Sequence, residues 1–130
     1  MTKIMAVALG GALGSVGRYT IALVVEKVTR ANFPMGTLTA NLLGCLLIGL
    51  FWGYFERAPL SNEFRLFLFT GILGGFTTFS TFARENIQYL RAGEPLNAII
   101  YLCASNILGL TLVAAGFLLS FRLLRSVRLF

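Results

Sequence analysis

Apolar residues are concentrated in four long stretches of the chain, at positions 4–25, 36–55, 66–88 and 96–121. Each has roughly the 20 residues that a helix needs to cross about 30 Å of hydrocarbon. Short segments rich in charges, glycine or proline separate the stretches, so consecutive helices are expected to run antiparallel. The pattern predicts an all-α membrane protein with four transmembrane helices, in which a single four-span domain occupies residues 1–130.

Composition excludes a small soluble domain. Hydrophobic residues make up 57% of the 130 residues and charged residues only 12%, whereas a soluble domain of 14.2 kDa needs many more polar groups to cover its surface. The chain has no histidine and only five carboxylates, which argues against acid–base catalysis and a metalloenzyme. Cys45 and Cys103 lie inside apolar stretches without CxxC spacing, so no disulfide or redox pair is predicted. The net charge of +6 is expected to face anionic lipid headgroups rather than nucleic acid.

A cleaved signal peptide is an alternative for the first stretch, but three further spans follow and the segment is too long for an h-region. Four spans place both termini on one side. Six basic residues fall on that side and three on the other: Lys3, Arg57, Arg65, Arg122, Arg125 and Arg128 against Lys27, Arg30 and Arg91. Half of the six lie in the C-terminal tail, so the bias toward cytoplasmic termini is weak and permits insertion in both orientations.

Small residues recur four positions apart in the first three stretches. The pairs are Gly10 with Gly14, Gly49 with Gly53, and Gly71 with Gly75. Such pairs let helix backbones approach closely in lipid, where no hydrophobic effect drives helices together. We therefore expect most of these glycines to serve packing.

The middle of the third stretch is a poor helix segment, because Gly74 and Gly75 are followed by the β-branched Thr77 and Thr78. One interpretation is a third helix broken near its middle, which would free carbonyl oxygens suited to a small cation. In the other interpretation, threonine and serine hydroxyls hydrogen-bond the freed backbone groups. The residues alone leave both open.

Phe79 and Phe82 are three residues apart and therefore share a helical face. The edge of an aromatic ring is electropositive, so two edges in a cavity can attract an anion without offering a full charge. Phenylalanines at this spacing more often contact the core or lipid. The neighbouring hydroxyls of Ser80 and Thr81 favour the anion interpretation.

Other polar groups lie inside the stretches. Arg18 is past the middle of the first, Asn41 is inside the second, and Tyr101 and Ser105 form an i,i+4 pair in the fourth. A charge inside a membrane is costly and indicates function by default. Arg18 can also extend to the interface, and each other group can simply bond a neighbouring helix. Because the embedded charge is a cation and no acidic residue is central, an anion is favoured as the permeating species.

Three motifs resemble the Fluc/CrcB family of fluoride channels, in the family's order and over nearly the whole chain. They are Gly10-Gly11-x-x-Gly14-x-x-x-Arg18-Tyr19, then Gly36-Thr37-Leu38-x-x-Asn41-x-x-Gly44, then Gly71-x-x-Gly74-Gly75-Phe76-Thr77-Thr78-Phe79-Ser80-Thr81-Phe82. The third motif is the most specific. The resemblance implies an antiparallel homodimer of dual topology with two fluoride pathways.

The resemblance also implies roles for individual residues of the third span. Phe79 and Phe82 match the aromatic pair that lines the anion pathway, and Ser80 and Thr81 match the polar track beside it. Asn41 of the second span matches a polar residue near the rings.

Further positions match less specific elements of the family. Gly74 and Thr77 match the break whose backbone carbonyls, from both subunits, hold a structural sodium ion. Arg18 matches a basic residue at the aqueous vestibule, and Glu85 an acidic residue past the aromatic motif.

On the fourth span, Tyr101 and Ser105 extend the polar track only loosely. Arg84 stands where the family pattern leads us to expect a neutral residue. A local pairing with Arg84 would put the family role of Glu85 in doubt.

The expected function is passive, non-enzymatic export of fluoride across a bacterial inner membrane, which limits fluoride toxicity. Sodium is the expected bound ion, and no protein partner beyond the second copy is implied. A small four-span multidrug exporter is the main alternative, although it needs a membrane-embedded carboxylate for proton coupling. A membrane scaffold without transport activity would explain the glycines but not Arg18 or the alternation of hydroxyl and aromatic residues.

Overall fold

The computed structural model of the chain describes residues 2–56, 58 and 60–127, and side chains as far as residue 124. Every element in these ranges is helical. In chain order they are α1 (Lys3–Thr29), α2 (Met35–Phe55), α3 (Asn62–Arg65), the π-helix π1 (Leu66–Leu73), α4 (Gly74–Phe76), α5 (Phe79–Arg91) and α6 (Pro95–Val127). Of the basic positions counted above, Arg57, Arg128 and the side chain of Arg125 lie outside the described residues.

Four helical segments are long and apolar enough to cross a membrane, namely Lys3–Thr29, Met35–Phe55, Asn62–Arg91 and Pro95–Leu124. This confirms the predicted all-helical architecture with four candidate spans. The helices extend beyond the predicted apolar stretches, most clearly α1, which continues through Glu26 and Lys27 to Thr29. Backbone hydrogen bonding continues where hydrophobicity stops, because charged residues outside the hydrocarbon still favour helix.

The ends of α1 follow from local side-chain and backbone chemistry. The hydroxyl of Thr2 accepts a hydrogen bond from the Met5 N–H at 3.3 Å, as expected of an N-cap residue. At the other end Arg30 adopts a left-handed conformation with φ of 46°, and its N–H donates to Glu26 O. The helix therefore stops before the loop that carries Pro34.

The helices pack in two main pairs, α1 with π1 and α2 with α6. Glycines make both contacts close. A Cβ atom at Gly10 would meet the backbone oxygen of Phe67, and one at Gly49 would meet the backbone oxygen of Val113. The prediction that paired glycines serve close helix packing is confirmed.

The π-helix from Leu66 to Leu73 was not predicted. Its wider turn appears at its end, where the Gly74 N–H reaches back five residues to Phe69 O. The segment is apolar apart from the exposed Thr70, so it has no polar periodicity to distinguish a π-helix from an α-helix. It lies where α1 approaches most closely, since a Cβ at Gly71 would be 2.8 Å from the Cα of Gly10.

Two side-chain contacts join different elements at the ends of the spans. The Tyr89 hydroxyl donates to Asn32 O at 3.0 Å, which joins the end of α5 to the α1–α2 loop. At the other end, the rings of Phe55 and Phe64 lie edge to face at 6.1 Å across the α2–α3 loop. The four spans therefore alternate in direction, as predicted from the short connections.

Candidate functional site

The backbone of Thr77 and Thr78 is extended within the third apolar segment. Thr77 has φ −88° and ψ 157°, and Thr78 has φ −150° and ψ 117°. Helix α4 ends at Phe76 and α5 begins at Phe79, with Thr78 as its N-cap residue. The geometry follows from local sequence, because β-branched threonine tolerates extended backbone better than helix.

Asn41 of α2 binds both backbone groups of Thr78. Its Oδ1 accepts the Thr78 N–H at 2.7 Å, and its Nδ2 donates to Thr78 O at 3.0 Å. An amide carries both a donor and an acceptor, so one side chain can bind both backbone groups of Thr78. The polar residue predicted inside the second span is thus a brace for the extended segment, with one Nδ2 hydrogen left over.

Hydroxyl groups satisfy further backbone groups beside the extended pair. The Thr77 hydroxyl donates to Leu73 O at 3.0 Å, and the Thr78 hydroxyl accepts the Thr81 N–H at 3.3 Å. The Thr78 hydroxyl also donates to the Thr81 hydroxyl at 3.1 Å and lies 3.4 Å from that of Ser80. These bonds are of the kind expected in the second interpretation of the sequence, in which threonine and serine hydroxyls bind backbone groups of the interrupted segment.

The carbonyls from Gly74 to Thr77 nevertheless lose the donors that a continuous helix would give them, and two of the displaced donors can be followed to new partners. Gly74 O would accept from the Thr78 N–H, which donates to Asn41 instead. Thr77 O would accept from the Thr81 N–H, which donates to the Thr78 hydroxyl instead. These two carbonyls belong to Gly74 and Thr77, which were identified from the sequence, while Gly75 O and Phe76 O between them lose their helical donors as well.

Arg18 of α1 reaches the same segment. Its Nε donates to Gly75 O at 3.1 Å, and the side chain is partly buried. In a continuous helix that carbonyl would accept from the Phe79 N–H. A cation at the C-terminal end of a helix is favourable for the helix dipole, so Arg18 stabilises the end of α4 in this geometry.

The two predicted phenylalanines lie together, with ring centroids 5.6 Å apart and planes inclined at 48°. Their exposure differs sharply, because Phe82 is 6% exposed and Phe79 is 78% exposed. Phe82 also meets the ring of Tyr101 nearly edge to face, at 5.1 Å. The prediction that Phe79 and Phe82 share one face of the helix is confirmed.

A cavity of about 350 Å³, called the central cavity below, borders the extended segment. Its lining residues are Asn41, Gly44, Cys45, Ile48, Phe69, Leu73, Gly74, Thr77, Thr78, Phe79, Phe82, Ser105 and Asn106. Apolar side chains and glycines form most of the lining, and the polar groups converge from α2, the extended segment and α6. The lining brings together Asn41, Gly74, Thr77, both phenylalanines and Ser105, which were identified from the sequence.

Ser105 contributes a free hydroxyl to this cavity. Its Oγ is buried and has no hydrogen-bond partner among the described residues. A buried hydroxyl without a partner costs free energy, on the order of 1–3 kcal/mol, unless a ligand or water binds it. The group is therefore a donor available to something inside the cavity.

Three predicted residues do not line the central cavity. Ser80 is exposed, and the Thr81 hydroxyl is engaged by Thr78. Tyr101 is fully buried and donates its hydroxyl to Glu85 Oε2 at 2.7 Å. The sequence could not separate these residues from the cavity lining, because all share polar chemistry and neighbouring positions.

Glu85 is held by hydroxyl groups from two other helices. Thr37 of α2 donates to its Oε1 at 2.8 Å, and Tyr101 of α6 donates to its Oε2. Both oxygens are thus engaged by hydroxyls rather than by Arg84, which settles the pairing left open by the sequence. Thr37 was overlooked as a site residue, although its position one helical turn before Asn41 was a usable signal.

A second cavity, of about 440 Å³, borders Glu85 and is called the outer cavity below. It is lined by Asn32, Pro34, Arg84, Glu85, Gln88, Tyr89, Ala92 and Glu94. These residues belong to the α1–α2 loop, α5 and the α5–α6 connection, at one end of the spans. The outer cavity is markedly more polar than the central one.

Side chains offer no metal site in the described part of the chain, since no group of three or more His, Cys, Asp or Glu residues is arranged to hold one. The oxygen ligands at the centre are backbone carbonyls and hydroxyls. Such oxygens suit hard cations such as Na⁺, whereas N–H groups, hydroxyls and ring edges suit an anion.

Comparisons with known proteins identify the family of the chain. Residues 5–117 match the family model described as CrcB-like protein, Camphor Resistance (CrcB). A protein of Desulfotalea psychrophila named fluoride-specific ion channel FluC is 55% identical over 121 residues, which cover 93% of this chain and 94% of that one.

Relatives of the same name share less identity over a similar length. The protein of Flavobacterium psychrophilum is 46% identical over 92% of this chain and 98% of its own. The protein of Aquifex aeolicus is 41% identical over 92% of this chain and 97% of its own. These matches extend over all four long helices, and the chain therefore belongs to the CrcB family of multi-pass bacterial membrane proteins.

Proposed function

We propose that this protein is a fluoride-selective channel that exports fluoride passively, and that the central cavity is part of its pathway. The relatives named above are fluoride-specific ion channels. The observation that carries the assignment to this cavity is the buried, unpartnered hydroxyl of Ser105, which faces the same space as the rings of Phe79 and Phe82.

Fluoride is small and strongly hydrated, so a selective path must replace its water with closely spaced donors. The Ser105 hydroxyl, the remaining Asn41 amide hydrogen and the electropositive ring edges are such donors. None carries a full positive charge, which would trap the ion. Ser80, Thr81 and Tyr101 serve the approaches to the cavity.

The N-terminus of α5 adds to the attraction for an anion. This 13-residue helix begins at Phe79, beside the cavity, and its first N–H groups lack helical acceptors. The positive end of its dipole therefore faces the space in which an anion would pass. Short helices that end inside a membrane often bind ions in this way.

We further propose that the working form is an antiparallel homodimer with two fluoride pathways. Phe79 lines the central cavity yet is 78% exposed in the single chain, so a second copy would enclose the pathway. The weak bias in basic residues permits both orientations in one membrane.

A structural sodium ion between the two copies completes the proposal. The carbonyls of Gly74 and Thr77 are its ligands in each chain, and they flank the end of the helical run formed by π1 and α4, where the helix dipole is negative. When bound, the ion supplies positive potential near both pathways and holds the two interrupted helices together. Arg18, which donates to Gly75 O next to Gly74, is assigned the role of the basic residue at the aqueous vestibule.

The chemistry in the cell is simple. Neutral hydrogen fluoride crosses membranes in acid surroundings and dissociates inside, so fluoride accumulates unless it can leave. A passive channel limits that toxicity without catalysis. The alternative of a multidrug exporter has no support from the relatives, which are named as fluoride channels.

Flux through liposomes tests the function. Vesicles that contain the purified protein should release fluoride when a valinomycin-mediated potassium shunt is opened, and they should retain chloride. Release should not depend on a proton gradient. Equal release of chloride and fluoride, or no fluoride release from vesicles shown to contain folded protein, would overturn the proposal.

A further inference from the structure

Arg84 is a charged residue that neither the central cavity nor the proposed sodium site uses. It is exposed on α5 and lines the outer cavity, while the neighbouring Glu85 is bound by hydroxyls. Its guanidinium carries a positive charge. The position is therefore a fixed positive charge in a polar cavity.

The outer cavity lies next to the central cavity along α5. Phe82 lines the central cavity, whereas Glu85 and Tyr89 line the outer cavity, three and seven residues further along. Residues at these spacings share one face of a helix. Tyr101 connects the two regions, since its ring meets Phe82 and its hydroxyl binds Glu85.

The charges of the outer cavity oppose the entry of an anion. Its lining contains two carboxylates, Glu85 and Glu94, and one cation, Arg84. The formal balance of these lining residues is therefore −1, and it would be −2 without Arg84. Glu94 accepts a hydrogen bond from Asn97 Nδ2 at 2.8 Å, which leaves its negative charge in place.

We propose that Arg84 sets the rate at which fluoride enters from this end, because it offsets the carboxylate charge of the outer cavity. The inference rests on the proposed channel function and assigns to Arg84 a role in ion supply. The contribution is electrostatic and long-range, since a charge in a confined cleft changes the local concentration of the approaching ion. It does not require contact between Arg84 and the ion in the pathway.

The size of the effect follows from Coulomb's law. One unit charge acting across a cleft of this size, on the order of 8 Å in water, changes the local anion concentration about two- to threefold. Salt screens such interactions, with a Debye length of about 30 Å at 0.01 M and about 3 Å at 1 M. The contribution of Arg84 should therefore disappear at high ionic strength.

The test compares fluoride flux of full-length variants in liposomes at low fluoride, with ionic strength set by an impermeant anion such as gluconate. We expect Arg84→Gln to lower initial flux about two- to threefold at low ionic strength and to match the wild type at high ionic strength. Glu94→Gln should raise flux at low ionic strength, and the double variant should return close to the wild-type rate. Arg91→Gln is the matched control, because Arg91 ends the same helix and is exposed but does not line the outer cavity.

The outcomes separate this inference from the function on which it rests. If the wild-type protein shows no fluoride flux, or no selectivity for fluoride over chloride, the channel proposal itself is overturned. If the wild type conducts, two results overturn the role of Arg84 alone. One is equal flux for Arg84→Gln and Arg91→Gln at low ionic strength, and the other is a deficit in Arg84→Gln that persists at high ionic strength.

Discussion

Asn41 and Thr78 form a two-way hydrogen-bonded pair between helices, in which one amide accepts the backbone N–H and donates to the backbone carbonyl of the same residue. The pair holds an extended backbone inside an apolar segment, where unsatisfied polar groups are costly. It also directs the Thr78 N–H away from Gly74 O, so one side chain both stabilises the interruption and frees a carbonyl. The backbone geometry at the proposed ion sites therefore depends on a side chain of α2.

Replacement of Asn41 by aspartate should damage both structure and conduction. The carboxylate keeps an acceptor for the Thr78 N–H but faces Thr78 O without a donor, which should cost on the order of 1–3 kcal/mol of stability. It also adds a negative charge to the central cavity, so fluoride flux should be strongly suppressed. Thermal unfolding in detergent and liposome flux measure the two effects.

Asn86→Asp is the control for that change, because Asn86 donates to Phe82 O within its own helix and does not line the central cavity. It should retain most of its flux. Wild-type flux and stability in Asn41→Asp would mean that neither the bonds to Thr78 nor the amide matters for conduction.

Ser105→Ala should separate stability from conduction. Removal of a buried hydroxyl that has no partner should leave stability unchanged or raise it by about 1 kcal/mol. Fluoride flux should fall, because the cavity loses a donor. Ser120→Ala is the matched control on the same helix, since the Ser120 hydroxyl donates to Phe117 O at 2.6 Å and its loss should affect stability alone. Unchanged flux in Ser105→Ala would remove this hydroxyl from the pathway.

Phe79→Ile and Phe82→Ile should both reduce fluoride flux, because they replace an electropositive ring edge with an aliphatic group. Only Phe82→Ile should also lower stability, by about 1–2 kcal/mol, since Phe82 is buried and Phe79 is exposed in the single chain. Flux and melting temperature distinguish the two variants. Phe64→Ile, outside the central cavity, should conduct normally; normal conduction in the two ring variants as well would contradict the role of the rings.

Sodium removal should weaken the proposed dimer, because carbonyls of both copies would lose their shared cation. Size-exclusion profiles or subunit cross-linking in sodium should be compared with those in a large organic cation at the same ionic strength. The dimer fraction should fall without sodium and recover when it is restored. An identical dimer fraction in both buffers would contradict the sodium site.

Gly14→Ala should destabilise the fold strongly, by about 2 kcal/mol or more, because the new methyl group would meet Ile72 O and the backbone of π1. Gly11→Ala, three residues away on the same helix, has open space and should be tolerated. Thermal unfolding of the two variants compares the same chemical change in two environments. Equal melting temperatures would show that α1 and π1 can separate at little cost.

Hydrophobic patterning was sufficient to predict the four spans and their alternating direction, because length and polarity dominate folding in a membrane. The glycine contacts were also predictable, since spacing alone places small residues on one helical face. The π-helix was not, because its sequence is apolar apart from Thr70 and carries no local signal for the wider hydrogen-bond register.

The candidate site was predicted as a set of residues rather than as an arrangement. Their positions in the apolar stretches indicated that Asn41 and Ser105 lie inside the membrane. Only the tertiary structure reveals that the first braces Thr78 and that the second has no hydrogen-bond partner among the described residues. Thr37 was missed for the same reason, since its role depends on Glu85, which is 48 residues away. Long-range partners of polar groups are not encoded in local spacing.

The two extended residues also change the rotational phase of the third span. Gly71, Gly75 and Phe79 are four residues apart, so an unbroken helix would keep all three on the face that packs against α1. Each extended residue turns the next side chain by about 180° instead of about 100°, so two of them rotate the following helix by roughly 160°. Phe79 therefore lies on the side of the third span that borders the central cavity, and not on the side where Gly71 and Gly75 contact α1. The register of a single dipeptide thus decides which surface the aromatic pair occupies.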